Sequence, residues 1–182
     1  MLYFAVYRRM RTYKHTQGAI FIMEEIITYR TATAADALAM SELGQLLNSV
    51  HHAARPDIYA AATEDFARDL PHWAGVFEKP GQIVYIASAA ERPVAFITAT
   101  VSASSGPLMQ PQNVVRIGSV CVAEPFWGKG IGRTLIQRVK DWAIEQNAQD
   151  LRLTVWPFNE RAVRMYAEFG FETRALEMGV RL

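Results

Sequence analysis

One stretch in the second half of the chain limits what this protein can fold into. Residues 120–133, VCVAEPFWGKGIGR, begin as an apolar strand, turn at Pro125 and then place glycines at alternate positions. Glycines let the backbone point several N–H groups toward one place, and the start of the following helix adds partial positive charge. The stretch therefore predicts a strand, an anion-binding loop and a helix N-terminus. The alternative is a tight strand-to-helix turn that binds nothing.

The glycine spacing does not fit two common phosphate-binding loops. A Walker-type loop needs Ser or Thr after its Gly-Lys pair, whereas Lys129 is followed by Gly130. A dinucleotide fingerprint needs a glycine where Arg133 stands. Asp150, at a suitable distance downstream for a ribose ligand, precedes the next predicted strand instead of ending it. Neither a P-loop nor a Rossmann nucleotide site is predicted.

The glycine stretch resembles the acyl-CoA loop of the GNAT superfamily of N-acetyltransferases, Gln/Arg-x-x-Gly-x-Gly/Ala. Gly130 and Gly132 match this pattern, while Trp127 occupies the Gln/Arg position. A second block, residues 159–171 with the sequence NERAVRMYAEFGF, is similar to the family's Asn-x-x-Ala-x-x-x-Tyr-x-x-x-Gly-Phe segment. The resemblance covers roughly Ile26 to Leu182. It implies an α/β GNAT fold with a mixed, mostly antiparallel central sheet of six to seven strands. About four helices would flank the sheet, which would splay between its fourth and fifth strands.

Length and composition bound the class of protein. The chain has 182 residues, 51% of them hydrophobic, and no apolar run long enough to cross a bilayer, which predicts one soluble domain. The net charge of +1, with basic residues spread along the chain, favours neither nucleic acid nor a membrane as partner. A single cysteine, Cys121, excludes an internal disulfide and offers no metal cluster. We therefore expect a cytoplasmic protein without a metal.

The first residues differ from the rest of the chain. An apolar run at residues 2–7 is followed by basic residues, the reverse of the order in a secretory signal. Residues 1–22 are thus predicted to be an N-terminal extension, either poorly ordered or the product of a translation start upstream of Met23. An added edge strand or an oligomer contact is the alternative. Residues 23–182 are predicted to form one N-acetyltransferase domain.

Hydrophobic periodicity predicts the order of elements after Met23. A strand at residues 26–30 precedes a helix capped by Thr33, and a polar and aromatic connector at residues 51–59 precedes a second helix from Thr63 to about Val76. A hairpin joins strands at residues 82–88 and 94–101, and residues 102–113 are predicted to be a loop. The remaining expected elements are a fourth strand at residues 114–122, a helix with the stripe Ile131, Leu135, Val139 and Trp142, a fifth strand at 151–155, the helix after Asn159 and closing strands from Phe171 to Leu182.

The resemblance assigns roles to individual residues on the donor side. Its implied CoA-binding set comprises the main chain of Val120, Cys121 and Val122 for the pantetheine arm, the N–H groups of Gly128, Lys129, Gly130, Ile131, Gly132 and Arg133 for the pyrophosphate, and Asn159 and Tyr166. Tyr166 would also protonate the departing thiolate, since a phenol and a thiol have similar reference pKa values. Asn159 as a helix N-cap and Tyr166 as a core aromatic residue are the structural alternatives.

The proton acceptor for the attacking amine is not determined by the sequence. Some relatives carry a glutamate on the fifth strand, where this chain has Thr154. The candidates that remain are a water chain and the side chains of His51, His52, Asp57 and Glu124. Cys121, inside an apolar strand, is expected to pack and not to act as a nucleophile.

These patterns together predict an enzyme. We expect acetyl-CoA as co-substrate and direct transfer of its acetyl group, within a ternary complex, to a primary amine of a small molecule or a peptide. A non-catalytic module that binds CoA or a partner through the same fold is the alternative. The resemblance also favours a homodimer.

Overall fold

A computed structural model of the chain describes residues 25–180 and contains one mixed sheet with helices on both faces. Its strands are β1 (Ile27–Thr31), β2 (Gln82–Ala89), β3 (Arg92–Gly106), β4 (Met109–Val122) and β5 (Asp150–Arg152). Its α-helices are α1 (Ala37–Ala54), α2 (Leu70–Ala74), α3 (Ile131–Glu145) and α4 (Glu160–Glu168). The predicted extension at residues 1–22 lies outside the described residues.

The sheet has the order β1-β2-β3-β4-β5, with every neighbouring pair antiparallel except β4 and β5. This confirms the predicted mixed, mostly antiparallel sheet of a GNAT fold. The strand count is five within residues 25–180, not six to seven, because the predicted closing strands are not formed there. Residues 172–180 are all exposed, so this segment, which we call the tail, lies outside the sheet.

The two hairpins differ in how well the sequence predicts them. Ala90 and Glu91 take positive φ angles of 44° and 66° and connect β2 to β3, which confirms the first hairpin. The predicted loop at residues 102–113 is wrong, because β3 and β4 continue to pair as far as Gly106 and Met109. Glycine and proline suggested a loop, but only residues 107 and 108 form the turn. Gly106 and Pro111 lie within the strands, whose register is irregular between Ser104 and Gly106.

Two apolar layers cover the sheet. On one face, α3 and α4 bury the stripe predicted from the sequence, in which Leu135 and Val139 are completely enclosed. On the other face, α1 and α2 enclose Met40, Trp73 and Phe96. Each layer removes a continuous apolar surface from water, which is the main stabilising term for a domain of this size.

The segment between β1 and β2 departs from prediction in two places. Thr33 is an N-cap, as predicted, but of a single 3-10 turn, Ala34–Asp36. Helix α1 then runs on to Ala54, so its last turn includes His51 and His52 of the predicted connector. The predicted second helix from Thr63 is instead the 3-10 turn Phe66–Arg68 followed by the short α2. Pro71 near the start of α2 explains the break. Proline has no N–H to donate and its ring clashes with a preceding helical turn, so it is accepted only in the first turn of a helix.

The sheet parts between β4 and β5, as predicted. Only Val114 to Arg116 of β4 pair with Asp150 to Arg152 of β5, while β4 continues to Val122. Residues 153–155, predicted to extend the fifth strand, have no strand conformation. The second half of β4 therefore has β3 on one side and a cleft on the other, and this cleft locates the site described next.

Candidate active site

The main chain at the end of β4 turns alternate residues toward the cleft. The Ser119 N–H donates to Thr98 Oγ1 at 2.9 Å and the Ala123 N–H donates to the Val94 carbonyl at 2.8 Å, so both face β3. Backbone groups of successive strand residues point to opposite sides. Val120 and Val122 therefore turn their N–H groups to the cleft, whereas the main chain of Cys121, the third residue of the predicted set, faces β3.

The glycine loop needs two of its glycines for conformation. Gly128 and Gly130 have φ angles of 79° and 80°, in the left-handed region that favours glycine. Gly130 is the N-cap of α3, and its carbonyl accepts the Thr134 N–H at 3.0 Å. The N–H groups of the first three helical residues, including Arg133, consequently have no intrahelical acceptor. They form a cluster of donors at the positive end of the α3 dipole, which suits an anion.

The third glycine of the loop has a different role. A Cβ on Gly132 would lie 3.5 Å from Met165 Sδ and 3.7 Å from Val122 Cγ2, which is ordinary van der Waals contact. Its backbone is not in the left-handed region, so neither conformation nor packing requires glycine. Because Val122 belongs to β4 and Met165 to α4, a side chain at this position would project into the cleft.

Trp127, which departs from the family's loop pattern, joins the end of β4 to the start of α4. Its indole N–H donates to the Val122 carbonyl at 2.6 Å, and the Arg161 guanidinium lies 4.7 Å from its ring centroid. The quadrupole of an aromatic ring attracts a cation to its face, so the contact with Arg161 stabilises the link that Trp127 makes between β4 and α4. The indole thus occupies one main-chain acceptor at the cleft and leaves the neighbouring amides available.

The two basic residues of the loop have partners within the protein. Lys129 Nζ lies 4.6 Å from the centroid of the Phe126 ring. Arg133 forms an ion pair with Glu168 and lies 5.7 Å from the Phe169 ring. Both side chains are exposed, so these interactions contribute little and can exchange for a bound phosphate.

Asn159 and Tyr166 lie on α4, which borders the cleft. Asn159 Oδ1 accepts the Ala162 N–H at 3.2 Å, so the side chain caps the helix, as the structural alternative anticipated. Within residues 25–180 its amide NH₂ donates no hydrogen bond to the protein. Capping therefore leaves the donor half of this side chain open to a ligand.

Tyr166 has a buried ring and a hydroxyl that reaches the surface. The residue is 9% exposed, and its ring packs edge-on against Phe171 at 5.8 Å. No residue of the described chain accepts or donates a hydrogen bond at its hydroxyl, and that oxygen is not one of the fully buried atoms without a partner. Burial raises the pKa of Tyr166 to about 12, so the phenol carries its proton throughout the neutral range.

Cys121 serves as a packing residue. Its thiol donates to the Leu43 carbonyl of α1 at 3.0 Å and is buried on the face opposite Tyr166. Burial raises the pKa of the thiol to about 12, so no thiolate forms near neutrality.

The predicted proton acceptors have unequal surroundings. His51 Nδ1 donates to the Leu47 carbonyl and His52 Nδ1 donates to the Tyr59 carbonyl, each at 2.7 Å, because a carbonyl can only accept. Both rings therefore keep Nε2 as the basic nitrogen. Asp57 accepts two hydrogen bonds from Arg55, at 2.9 and 2.8 Å, while Glu124 is exposed ahead of the glycine loop.

Comparison with known proteins identifies the family. Residues 47–171 match the acetyltransferase (GNAT) family, which is more than half of the chain. The chain belongs to the GNAT family. Acetyl transfer, a form of acyl transfer, is therefore the class of reaction to which this site is suited. Among curated proteins, no sequence matches the chain.

Solved structures share the fold of this GNAT protein. A tetramutant of the BH1408 protein from Bacillus halodurans superposes with a TM-score of 0.76 at 24% identity, over 85% of this chain and 99% of that one. The aminoglycoside N-acetyltransferase AAC(6')-Iy, in complex with CoA, gives 0.69 at 15% identity over 90% and 99%. An aminoglycoside acetyltransferase from an uncultured soil metagenomic sample, in complex with trehalose, gives 0.63 at 14% identity over 86% and 96%.

A group of four rings lies beyond the end of β5, and only His51 among them was named from the sequence as a candidate site residue. We call it the aromatic cluster: His51, Tyr59, Trp156 and Phe158. Ring centroids are 4.7 Å apart for His51 and Tyr59 and 5.7 Å for His51 and Phe158, and the Trp156 N–H donates to the Tyr59 hydroxyl at 2.5 Å. Aromatic residues in two loops far apart in sequence were the signal available in the sequence, but only the fold brings them together.

A cavity of about 490 Å³ adjoins Trp156. It is lined by Arg55, Asp57, Ile58, Trp156, Glu177, Gly179 and Val180, so the connector after α1 and the tail form its walls. Its volume is typical of small-molecule sites. No group of three or more His, Cys, Asp or Glu side chains in the described part of the chain is arranged to hold a metal ion. None of the helices between residues 25 and 180 has the length and apolar character needed to cross a membrane.

Proposed function

We propose that this protein is an acetyl-CoA-dependent N-acetyltransferase that transfers the acetyl group directly to a primary amine. The observation that carries the proposal is the juxtaposition of the cleft-facing amides of Val120 and Val122 with the unpaired N–H groups of residues 128–133. A ligand with peptide-like amides and a pyrophosphate matches both donor sets. Acetyl-CoA has this combination, and one of the structures that share the fold is a complex with CoA.

The chain's own groups supply binding and electrostatic stabilisation. Val120 and Val122 present main-chain groups as the edge of a sheet does, so they suit the pantetheine arm as an added strand. The amides of Gly128 to Arg133 suit the pyrophosphate, and the Asn159 NH₂ suits a carbonyl of the arm. A cleft-facing β4 amide also stabilises the negative charge that develops on the acetyl oxygen during attack.

Tyr166 is the proposed acid for the leaving thiolate. With a pKa of about 12 the phenol is a weaker acid than a free thiol, whose pKa is about 8.5, so transfer to a solvated thiolate is unfavourable by about 5 kcal/mol. Enclosing the thiolate in the same cleft also raises the pKa of the thiol, which reduces the difference between the pKa values of the phenol and the thiol. Tyr166 is therefore suited to donate its proton as the carbon–sulfur bond breaks, not after it.

Direct transfer is favoured over a covalent enzyme intermediate. Cys121 is the only cysteine of the chain, and its thiol lies on the α1 face with a raised pKa. A covalent route through this cysteine would need its thiolate at the cleft. The acetyl group is therefore proposed to pass from carrier to amine in one ternary complex.

Calorimetry with acetyl-CoA and a thiol-release assay with a panel of primary amines test the proposal. We expect Tyr166→Phe to retain acetyl-CoA binding and to lower kcat by about 10² to 10⁴. The matched control is Tyr85→Phe, which changes a half-buried tyrosine on β2 whose pKa is also raised by burial. Failure of the folded protein to bind acetyl-CoA would refute the proposal. Tight binding without thiol release for any amine would instead indicate a non-catalytic CoA-binding module.

A further inference from the structure

The aromatic cluster and the adjoining cavity lie beyond the carboxyl end of β5. β4 and β5 are parallel, so their carboxyl ends lie at the same edge of the sheet, and Trp156 follows β5 there. The Cys121 thiol bonded to Leu43 brings α1 against the end of β4 on one face, whereas Tyr166 lies on the other. An acceptor on the α1 face would thus meet the carrier across the parted strands.

His51 is the residue of the aromatic cluster whose ring nitrogen Nε2 is available to accept a proton. Its Nδ1–H is used by the Leu47 carbonyl, and its Nε2 has no hydrogen-bond partner in the described part of the chain. Tyr59 and Phe158 pack against the ring and hold its orientation. The backbone thereby fixes one tautomer, with a lone pair on Nε2, as a general base requires.

The charges of the cavity select against some acceptors. Arg55 donates two hydrogen bonds to Asp57 and lies 5.1 Å from the Trp156 ring, so its guanidinium is already engaged. Glu177 adds a second carboxylate to the lining. Among the described residues that line the cavity, two carboxylates stand against one guanidinium, which favours an ammonium group over a carboxylate. Trp156, Ile58 and Val180 provide an apolar surface for the remainder of the acceptor.

We propose that this cavity and the aromatic cluster bind the acceptor, that the acceptor is a primary amine carried on an aromatic or compact apolar group without a carboxylate, and that His51 accepts its proton. The inference rests on the proposed function. The bound ammonium group first releases one proton to solvent water. His51 Nε2 then takes a second proton from the neutral amine nitrogen as that nitrogen bonds to the thioester carbonyl carbon. Tyr166 gives its proton to sulfur as the carbon–sulfur bond breaks, so an amide and a free thiol are the products.

Paired substrates test the class of acceptor. Phenethylamine and phenylalanine share a ring and a primary amine and differ by a carboxylate, and spermidine is a polycation without a ring. We expect kcat/KM for phenethylamine to exceed that for each of the others by at least about tenfold. Acetylation of spermidine or phenylalanine in preference to phenethylamine would overturn the inference while leaving the proposed function intact. If acetyl-CoA does not bind at all, the proposed function itself fails, and the inference with it.

Variants of Trp156 test the binding surface. Trp156→Ala should raise the KM for phenethylamine about tenfold and change kcat little, because the ring contributes to binding in the ground state. Trp156→Phe keeps a ring and should restore most of the affinity. Leu108→Ala, at the exposed tip of the β3–β4 hairpin, is the control for losing a large apolar side chain. Phenethylamine binding measured by calorimetry provides a second readout, and unchanged binding and KM in a folded Trp156→Ala protein would overturn the assignment.

The pH profile tests the role of His51. The titratable and charged groups on elements packed around it are His52 on α1, Arg55, Asp57 and Tyr59 on the connector, and Glu177 on the tail. We expect His51→Gln to lower kcat by about 10² to 10⁴ and to remove the acidic limb of the kcat profile, with acetyl-CoA binding retained. The control is His72→Gln, an exposed histidine on α2. A His51→Gln protein with the acidic limb unchanged would exclude His51 as the base.

Discussion

Two buried side chains, Cys121 and Tyr166, hold their protons far above neutral pH, and they illustrate how one physical effect can serve two purposes. Burial raises the pKa of each to about 12. The Cys121 thiol is hydrogen-bonded to α1, which makes it a packing group, whereas the Tyr166 hydroxyl has no partner in the described chain and is not fully buried. The difference between a structural and a catalytic candidate therefore lies in what surrounds the polar atom.

The raised pKa of Cys121 predicts a loss of stability at alkaline pH. Because the thiol has a higher pKa folded than unfolded, the unfolded chain releases the proton first, and the free energy of unfolding falls as pH rises from about 9 to about 12. With an unfolded thiol pKa of 9.0, this group alone should lower the free energy of unfolding by about 1.3 kcal/mol between pH 8 and pH 10. Urea denaturation of the wild type and of Cys121→Ala at both pH values measures it. Equal slopes with pH in the two proteins would contradict the prediction.

At the scale of elements, the cleft beside β4 should be visible in amide exchange. Without ligand, the Val120 and Val122 amides should exchange quickly, whereas the Cys121 amide, which faces β3, should be protected. Acetyl-CoA at 100 times its Kd should slow the two fast amides about a hundredfold, since only the free protein then exchanges them. Exchange measured by NMR would contradict the assignment if ligand left both valines unprotected.

Substitutions at two glycines of the loop should affect stability and acetyl-CoA binding differently. Gly130→Ala puts a side chain at a φ of 80° and should lower the free energy of unfolding by about 1 to 2 kcal/mol. Gly132→Ala meets no backbone strain and should leave stability unchanged or raise it by up to about 1 kcal/mol. Its methyl group enters the cleft, however, and should weaken acetyl-CoA binding about tenfold.

Thermal unfolding and calorimetry on both glycine variants give the comparison. The two substitutions add the same methyl group two residues apart, so each is the control for the other. Undiminished acetyl-CoA affinity in a folded Gly132→Ala protein would show that the ligand does not lie between β4 and α4.

The sequence predicted those elements that local pattern determines. The α3 stripe follows from periodicity, and the parted strands follow from the family resemblance of the two motif blocks; both are present. The β3–β4 hairpin was missed because pairing between long strands outweighs the turn signals of Gly106 and Pro111. The closing strands expected from Phe171 to Leu182 are not formed within the described residues, where Leu176, Met178 and Val180 alternate as in a strand but are exposed.

The donor and acceptor sides of the candidate site were not equally predictable. The donor side depends on main-chain amides, whose positions follow from glycine spacing and from a strand-to-helix turn. The aromatic cluster requires that α1, the connector and the segment after β5 meet, as the Trp156 to Tyr59 hydrogen bond shows. Contacts between residues so distant in sequence produce no periodic pattern in the sequence. His51 could therefore be named as a candidate base, but its position among these rings could not be predicted.

For the molecule as a whole, the two proposals place the two substrates on different layers and the tail on the acceptor side alone. Leu176, Met178 and Val180 are 82%, 90% and 85% exposed, and Arg174 anchors the segment to Asp150 of β5 at 2.7 Å. Beyond Arg174 the described tail adds little to the core, so deleting residues 175–182 should change the free energy of unfolding by less than about 0.5 kcal/mol. Acetyl-CoA affinity should also be unchanged.

The same deletion should nevertheless impair the use of the acceptor. It removes Glu177, Gly179 and Val180 from the cavity wall, and with them one carboxylate and part of the apolar surface. We therefore expect the KM for phenethylamine to rise about tenfold at constant Kd for acetyl-CoA. Parallel losses of both affinities would mean that the tail supports the whole domain, and an unchanged KM would mean that it takes no part in holding the acceptor. Only separate responses of the two substrates are consistent with a carrier bound by the parted sheet and an amine bound by the rings and the tail.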